Sequence, residues 1–263
     1  MLNNDIFRYY MGGILKDRVF KKLLEEKKNK IHLTLIDPDK TSPEMARLIS
    51  LSAYKAGSSA ILIGGSLGVY EPHLTELVKS CKESGLPVIL FPGNINGLTA
   101  SADAVLFMLL LNSDDPYYVG GVQAQAAPII LRMGLETIPT AYIIIGHGGA
   151  AGYIGKARPI PYERGDIAAA YSLAGAMLGA KVIYLEAGSG APYPIPPQTI
   201  SLVRRALDQI EYNGLLIVGG GINSPEAARE AIKAGADGIV NGTIVEKDPN
   251  SIYHMIKAVK NEN

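Results

Sequence analysis

The chain has 263 residues, close to the ~250 of a single (β/α)8 barrel and enough to bury a large core. Its composition, 48% hydrophobic and 19% charged with a formal net charge of +0, excludes a disordered chain and gives no pull toward nucleic acid or an anionic membrane. One cysteine, Cys81, excludes an internal disulfide and a cysteine-based zinc site and points to a reducing, cytoplasmic compartment.

The N-terminal residues Met1 to Arg8 lack the basic-then-apolar pattern of a signal peptide. No run reaches the ~18 apolar residues of a membrane span, so a soluble protein with at most transient membrane contact is expected. Residues 1–30 read as a helical extension. Its stretch Lys16–Lys30 interleaves basic and acidic side chains, as a solvated helix does and a basic patch does not.

A first strand is predicted over 31–36, inside Leu33-Thr-Leu-Ile-Asp-Pro-Asp-Lys40. A carboxylate directly after a buried strand, ahead of a turning Pro, points into the mouth of a barrel. Asp37 could there ligate Mg2+ or act as a base, while Asp39 and Lys40 also suit an ordinary turn. A helix over 43–56 opens with Ser42-Pro43, and a strand over 60–63 runs into Gly64-Gly-Ser-Leu-Gly68. The hydroxyl of Ser66 suits a hard cation or tight strand–helix packing equally well.

A helix over 72–84 and strands over 87–91 and 104–110 follow. Asp114-Asp115 lacks the second acidic group of the aspartate-rich motif of all-helical prenyltransferases. A strand over 140–145 leads into the long segment Gly146–Pro161, placed where lids and substrate loops occur. Lys156 and Arg158 are its only cations and are candidates to meet a diphosphate, whereas His147 reads as a bystander.

After a helix over 166–178, the strand over 181–186 belongs to Val182-Ile-Tyr-Leu-Glu-Ala-Gly-Ser-Gly190. Alternation puts Tyr184 and Glu186 on one face, where a phenol and a carboxylate could hold a polyol beside a phosphate. A purely structural Glu at a buried strand end would need a partner that the sequence does not show. A helix over 197–209 precedes the strand 214–218 and Ile217-Val-Gly-Gly-Gly-Ile222; a helix over 225–234 precedes the strand 238–241 and Gly238-Ile-Val-Asn-Gly-Thr243. Two strand-end turns almost without side chains form a cradle in which bare backbone N–H groups reach phosphate oxygens. There is no Walker-A loop and no G-x-G-x-x-G after a strand, so a phosphorylated small molecule is the expected ligand and a dinucleotide cofactor is unsupported.

Continuous apolar strands indicate a parallel sheet buried on both faces. The expected fold is a single (β/α)8 barrel over 1–263, each strand followed by a helix, with phosphate-binding loops after strands 6, 7 and 8; an open doubly wound sheet is the rival.

Together, Asp37-Pro-Asp-Lys40, Tyr184-Leu-Glu-Ala-Gly-Ser-Gly190, Gly219-Gly-Gly-Ile222 and Gly242-Thr243 resemble the geranylgeranylglyceryl phosphate synthase family. Pro87-Val-Ile-Leu-Phe-Pro-Gly93 and Ala157-Arg-Pro-Ile-Pro161 extend the likeness, which runs from about residue 12 to 250. The resemblance implies a Mg2+-dependent transfer of the geranylgeranyl group from its diphosphate to the 3-hydroxyl of sn-glycerol 1-phosphate, the first ether-bond step of archaeal membrane lipids. It implies Asp37 and Ser66 as metal ligands. Glycerol phosphate would contact Tyr184, Leu185, Glu186, Ala187, Gly188, Ser189 and Gly190, then Gly220, Gly221, Gly242 and Thr243. Glu186 would orient or deprotonate the acceptor hydroxyl beside Tyr184, and apolar, tyrosine-rich surfaces near strands 3 to 5 would take the tail.

The likeness is to the larger archaeal form. Bacterial relatives making heptaprenylglyceryl phosphate carry Lys where this chain has Leu35. Gly146-His147 and Tyr153 stand where the family has an acidic–Pro pair and a Trp. A sugar-phosphate isomerase or aldolase is the alternative enzyme, since Asp37 and Glu186 would supply a carboxylate pair; a phosphate-ligand sensor is the non-enzymatic one. Assembly as a homo-oligomer is expected.

Overall fold

Eight parallel strands close on themselves in chain order in the computed structural model, which describes residues 17–65, 70–242 and 251–260. They are β1 Ile31–Ile36, β2 Ala60–Ile63, β3 Val88–Leu90, β4 Ala104–Leu110, β5 Glu136–Ile144, β6 Val182–Glu186, β7 Leu215–Gly219 and β8 Gly238–Asn241. Closure is made by β1, which pairs with β2 through Leu33↔Ala60 and with β8 through Thr34↔Asn241. The helices are α1 Arg18–Glu26, α2 Pro43–Ala56, α3 His73–Lys82, α4 Val122–Met133, α5 Gly149–Ile154, α6 Gly165–Met177, α7 Pro197–Gln209, α8 Pro225–Lys233 and α9 Ser251–Lys260. The (β/α)8 reading is therefore correct and the doubly wound rival is not.

Local signals explain the elements that the sequence places well. Ser42 Oγ accepts from Met45 N–H at 3.3 Å and Ser224 Oγ from Ala227 N–H at 3.2 Å, with Pro at the first helical position of α2 and α8. Three readings need correction. The fifth strand begins at Glu136, because its polar start (Glu136, Thr137) hides the period. Helix α4 carries Pro128 internally, a breaker that masks it in the sequence. No α-helix follows β3: Pro92, Gly93, Asn94 and Gly97 leave only a 3-10 turn at Ile95–Gly97 before β4. Of the predicted N-terminal extension, residues 1–16 lie outside the described residues.

Inward-facing side chains such as Leu33, Leu62, Ile89, Leu106, Ile138 and Ile217 fill the barrel. Their neighbours in sequence pack outward against the helices, Ile183, Leu185 and Val218 among them. Helix α1 closes the amino-terminal end, adding Val19, Phe20 and Leu23 to the interior cluster. Its first turn is capped from a distance: Val19 N–H donates to Glu136 Oε2 at 2.8 Å and Phe20 N–H to Oε1 at 2.7 Å. Asp17, at the N-cap position, makes no such bond. A carboxylate there satisfies two orphan donors and complements the helix dipole.

Glu136→Ala should lower stability by about 2–3 kcal/mol, because two buried N–H groups lose their acceptor. Hydrogen exchange at the Val19 and Phe20 amides checks the mechanism: their protection should fall first, and unchanged protection would remove Glu136 from this role.

Candidate active site

The strands deliver their carboxyl ends to one cavity of about 760 Å³. Its polar half is built by Asp37, Asp39 and Lys40 after β1, Glu186, Ser189 and Gly190 at and after β6, Gly220 and Gly221 after β7, and Gly242 after β8. Its apolar half is lined by Phe91, Met108, Leu110, Tyr118, Val122 and Ile154. The short β3–β4 connection contributes here, since Pro92 and Gly93 also form wall.

Strand alternation turns Tyr184 and Glu186 inward, as expected, and sends Leu185 and Ala187 outward into the helix layer. Only backbone from the latter two can face a ligand, and the Ala187 carbonyl already accepts Gly148 N–H at 2.8 Å. Glu186 is 6% exposed, and Oε1 accepts Gly188 N–H at 2.6 Å. Burial pushes its carboxyl up to about 7, against the lowering pull of that N–H and of the Tyr184 and Tyr142 hydroxyls. Burial and the nearby Glu186 charge hold both phenols well above their usual range, so both stay protonated. The Tyr184 hydroxyl is buried at the cavity floor beside the Glu186 carboxylate, close to it but not in well-aligned hydrogen-bond geometry.

Tyr142 is the residue that the sequence reading missed. It pairs with Tyr184 in strand register and meets its ring edge-on at 5.1 Å. Phe91 stacks on Tyr184 at 5.5 Å, completing an aromatic floor under the carboxylate. The signal was present, because Tyr142 shares the inward parity of Ile138 and Ile144.

The β7 turn takes left-handed backbone at Gly220 (φ +80°) and Gly221 (φ +68°). Space is as restrictive as conformation. A Cβ on Gly220 would lie 2.5 Å from Glu186 Oε1 and 2.5 Å from Gly188 N. A Cβ on Gly219 would lie 2.5 Å from the Tyr184 hydroxyl and 2.9 Å from Glu186 Oε2. Gly188 and Gly190 also have positive φ, at +104° and +71°. The turns after β6 and β7 thus present backbone around one carboxylate.

Asp37 lies at the mouth, where Oδ1 accepts Asp39 N–H at 3.1 Å and Oδ2 pairs with Lys40 Nζ at 2.7 Å. Ser66 and Thr243 lie outside the described residues. Lys156 and Arg158 do not line the cavity. Lys156 Nζ pairs with Asp115 Oδ2 at 2.8 Å, and Arg158 Nε lies 3.9 Å from Asp114 Oδ2. Their charges tie the segment after β5 to the one after β4. Among the described residues, Lys40 is the cation that lines the cavity.

Comparison with known proteins bears on this arrangement. The PcrB family matches residues 21–261. The geranylgeranylglyceryl phosphate synthase of Aeropyrum pernix is 51% identical over 251 residues, covering 94% of this chain and 99% of that protein. That of Saccharolobus solfataricus is 49% identical, covering 94% and 96%. The crystal structure of (S)-3-O-geranylgeranylglyceryl phosphate synthase from Thermoplasma acidophilum, in complex with substrate sn-glycerol-1-phosphate, superposes with a TM-score of 0.88 at 37% identity, over 92% of this chain and 98% of that one. The wild-type GGGPS of Thermoplasma volcanium gives 0.86 at 40% identity, over 92% and 97%. With its barrel, cavity and glycine turns in place, the chain belongs to the PcrB family, among the geranylgeranylglyceryl phosphate synthases.

Proposed function

We propose that this protein transfers the geranylgeranyl group of geranylgeranyl diphosphate to the 3-hydroxyl of sn-glycerol 1-phosphate, releasing 3-O-geranylgeranyl-sn-glyceryl 1-phosphate and diphosphate. One observation carries the reading: a buried carboxylate with its charge raised in energy stands between a glycine cradle and an apolar bay in a single cavity. A phosphate seats on the backbone of Gly220, Gly221 and Gly242, with the Gly188–Gly190 turn beside it. The Thermoplasma acidophilum relative is described with sn-glycerol-1-phosphate bound, which suits that assignment. The bay lined by Phe91, Met108, Tyr118 and Val122 takes the prenyl tail by apolar burial.

Held by its phosphate, the glycerol presents its 3-hydroxyl to Glu186, with the Tyr184 hydroxyl beside that carboxylate. The bond from the allylic carbon to the diphosphate oxygen breaks, a bond to the glycerol oxygen forms, and the hydroxyl proton passes to Glu186. A carboxyl poised at about 7 can accept that proton and release it again near neutrality. Tyr142 and Tyr184, both protonated, hold the carboxylate in place.

Asp37 suits Mg2+, a cation commonly bound by one or two carboxylates plus substrate phosphates. Among the described residues no group of three or more acidic, His or Cys side chains competes for it. When bound, the ion neutralises charge developing on the leaving diphosphate. Ser66 is the proposed second ligand, and Lys40 replaces Lys156 and Arg158 as the cation proposed to face the diphosphate. An aldolase would need an enclosed lysine, and the cavity's Lys40 is 63% exposed and paired. Two coarser features complete the picture. No described helix is long and apolar enough to cross a membrane, in keeping with the cytoplasmic location we propose. The exposed Met177 and Leu178 at the end of α6 support a homo-oligomer.

Mass spectrometry of products from a series of prenyl diphosphates, with and without Mg2+, tests the assignment. A C20 ether of glycerol phosphate is expected, and no ether product of any length would overturn it.

Glu186→Gln should cut turnover by about 10²–10⁴ while both substrates still bind, and the wild-type rate should climb as pH passes about 7. Stability gives an independent check. The folded carboxyl titrates at about 7 against 4.5 for the free group, so the folded form holds more protons in that window and wild-type stability falls as pH rises through it. Glu186→Gln should therefore be more stable than wild type by about 3 kcal/mol above pH 7 and nearly equal below pH 4.5. A pH-independent difference would contradict the buried charge.

Gly220→Ala should weaken glycerol phosphate binding by about tenfold or more, because the new methyl enters the cradle against Glu186 Oε1. Prenyl diphosphate binding should hold. Equal losses for both ligands would mean a disordered mouth and not a blocked cradle.

A further inference from the structure

The layer between sheet and helices is largely apolar beside β1 and β8, with Ile36, Ile239 and Ile256 all buried. Into it the chain inserts His32, Thr34, Ser58 and Asn241, each no more than 6% exposed. Buried polar groups cost stability unless fully bonded, and apolar side chains of similar size would serve packing better. Their bonds run in one line, and the line ends at the glycine turn.

Asn241 is the last residue of β8, immediately before Gly242. Its Nδ2 donates to the carbonyl of Ile222 at 2.7 Å. Ile222 closes the Gly219–Gly221 turn, so one amide joins the two glycine segments of the cradle. A carbonyl only accepts, which places Nδ2 toward Ile222 and turns Oδ1 toward His32 Nε2 at 3.2 Å. His32 must then carry its proton on Nε2. Its Nδ1 is left as an acceptor facing the hydroxyls of Ser58 at 3.2 Å and Thr34 at 3.5 Å. The Ser58 hydroxyl also lies 3.0 Å from the His32 carbonyl and 3.0 Å from the Thr34 hydroxyl, so one of the two hydroxyl protons can serve that carbonyl and the other Nδ1. Full burial pushes His32 down to about 3, which keeps this single neutral tautomer through the physiological range.

We propose that His32 and Asn241 are positioning residues for the phosphate cradle: His32 fixes the orientation of the Asn241 amide, and the amide fixes the spacing between the Gly220–Gly221 turn and Gly242. His32 does not line the cavity, whereas Asn241, at the end of β8, stands in its wall beside Gly242. Two successive left-handed glycines are intrinsically loose, and a hydrogen bond from the neighbouring strand supplies the rigidity that a preorganised anion site needs. The proposal rests on the reading that this cradle holds the phosphate of glycerol phosphate.

The test compares dissociation constants for sn-glycerol 1-phosphate and for a prenyl diphosphate, by calorimetry on the full chain. His32→Leu removes the donor at similar bulk. His32→Gln can still donate to Asn241 and accept from Ser58. Losing one neutral hydrogen bond's worth of ordering, His32→Leu should weaken glycerol phosphate binding by about tenfold and leave prenyl diphosphate within about twofold. His32→Gln should return to within about threefold of wild type. Wild-type glycerol phosphate affinity in folded His32→Leu, or equal losses for both ligands without rescue by Gln, overturns the proposal. If His32→Leu does not fold, Asn241→Ala decides by the same two constants. Loss of glycerol phosphate binding in Gly220→Ala separates this outcome from failure of the cradle reading: if that variant binds normally, the cradle itself is misassigned.

Discussion

A carboxylate kept out of water at the end of β6 sets the terms for everything around it. Glu186 takes one backbone N–H, from Gly188, and lies close to two phenols. Its two oxygens occupy the space where residues 219 and 220 would otherwise carry Cβ atoms. Glycine at those positions is therefore required by the carboxylate behind the turn, and the proposed anion in front of it would require it again. This coupling would account for an acid and a phosphate site side by side, because both draw on the same glycines. It also means that the carboxyl sits at about 7 through burial, with no neighbouring acid needed.

The barrel supplies the rest by placing unlike surfaces at one mouth. Strands β6 and β7 end in glycine-rich turns and β8 runs into Gly242, while β3, β4 and α4 present Phe91, Met108 and Val122. Polar and apolar halves so arranged suit two substrates that share no chemistry except at their reacting atoms. Reaction then depends on alignment more than on any single strong contact. The salt bridges of Lys156 and Arg158 to Asp115 and Asp114 serve the same end, fixing the segment after β5 against the segment after β4. Asn112 adds to this clamp, donating to the carbonyls of Ile144 and Arg158 at 2.9 Å each.

How much of this was legible depends on the range of the interaction involved. Strand positions and the inward parity of Tyr184 and Glu186 follow from local apolar runs and from period-two alternation, and both were readable. The glycine turns announced themselves because φ > 0 leaves a compositional mark. What failed was pairing at a distance. Lys156 and Arg158 looked like unclaimed cations, and Asp114 and Asp115 looked like an incomplete motif. Only the fold shows that each cancels the other, some forty residues apart along the chain. Tyr142 was overlooked for a related reason: its inward parity was readable, but its importance comes from the register that sets it beside Tyr184. The cap from Glu136 to α1 spans more than a hundred residues and leaves no local trace.

His32 and Asn241 carry that lesson to the site itself. In the sequence both are ordinary strand residues, and the outward parity of each argues against any part in a cavity on the other side of the sheet. Yet the turn they support has two left-handed residues in succession and must hold its N–H groups toward one point. Backbone bonds alone do not accomplish this, since the Gly219 carbonyl is engaged by Ala187 while the far end of the turn relies on the Asn241 amide. The free energy lost by burying four polar side chains in an apolar layer is thus spent on the shape of the neighbouring loop. Folding stability would rise if those positions were apolar, as it would if Glu186 were neutral. In both places the structure departs from the most stable packing in the direction that the proposed phosphate site and general base would require.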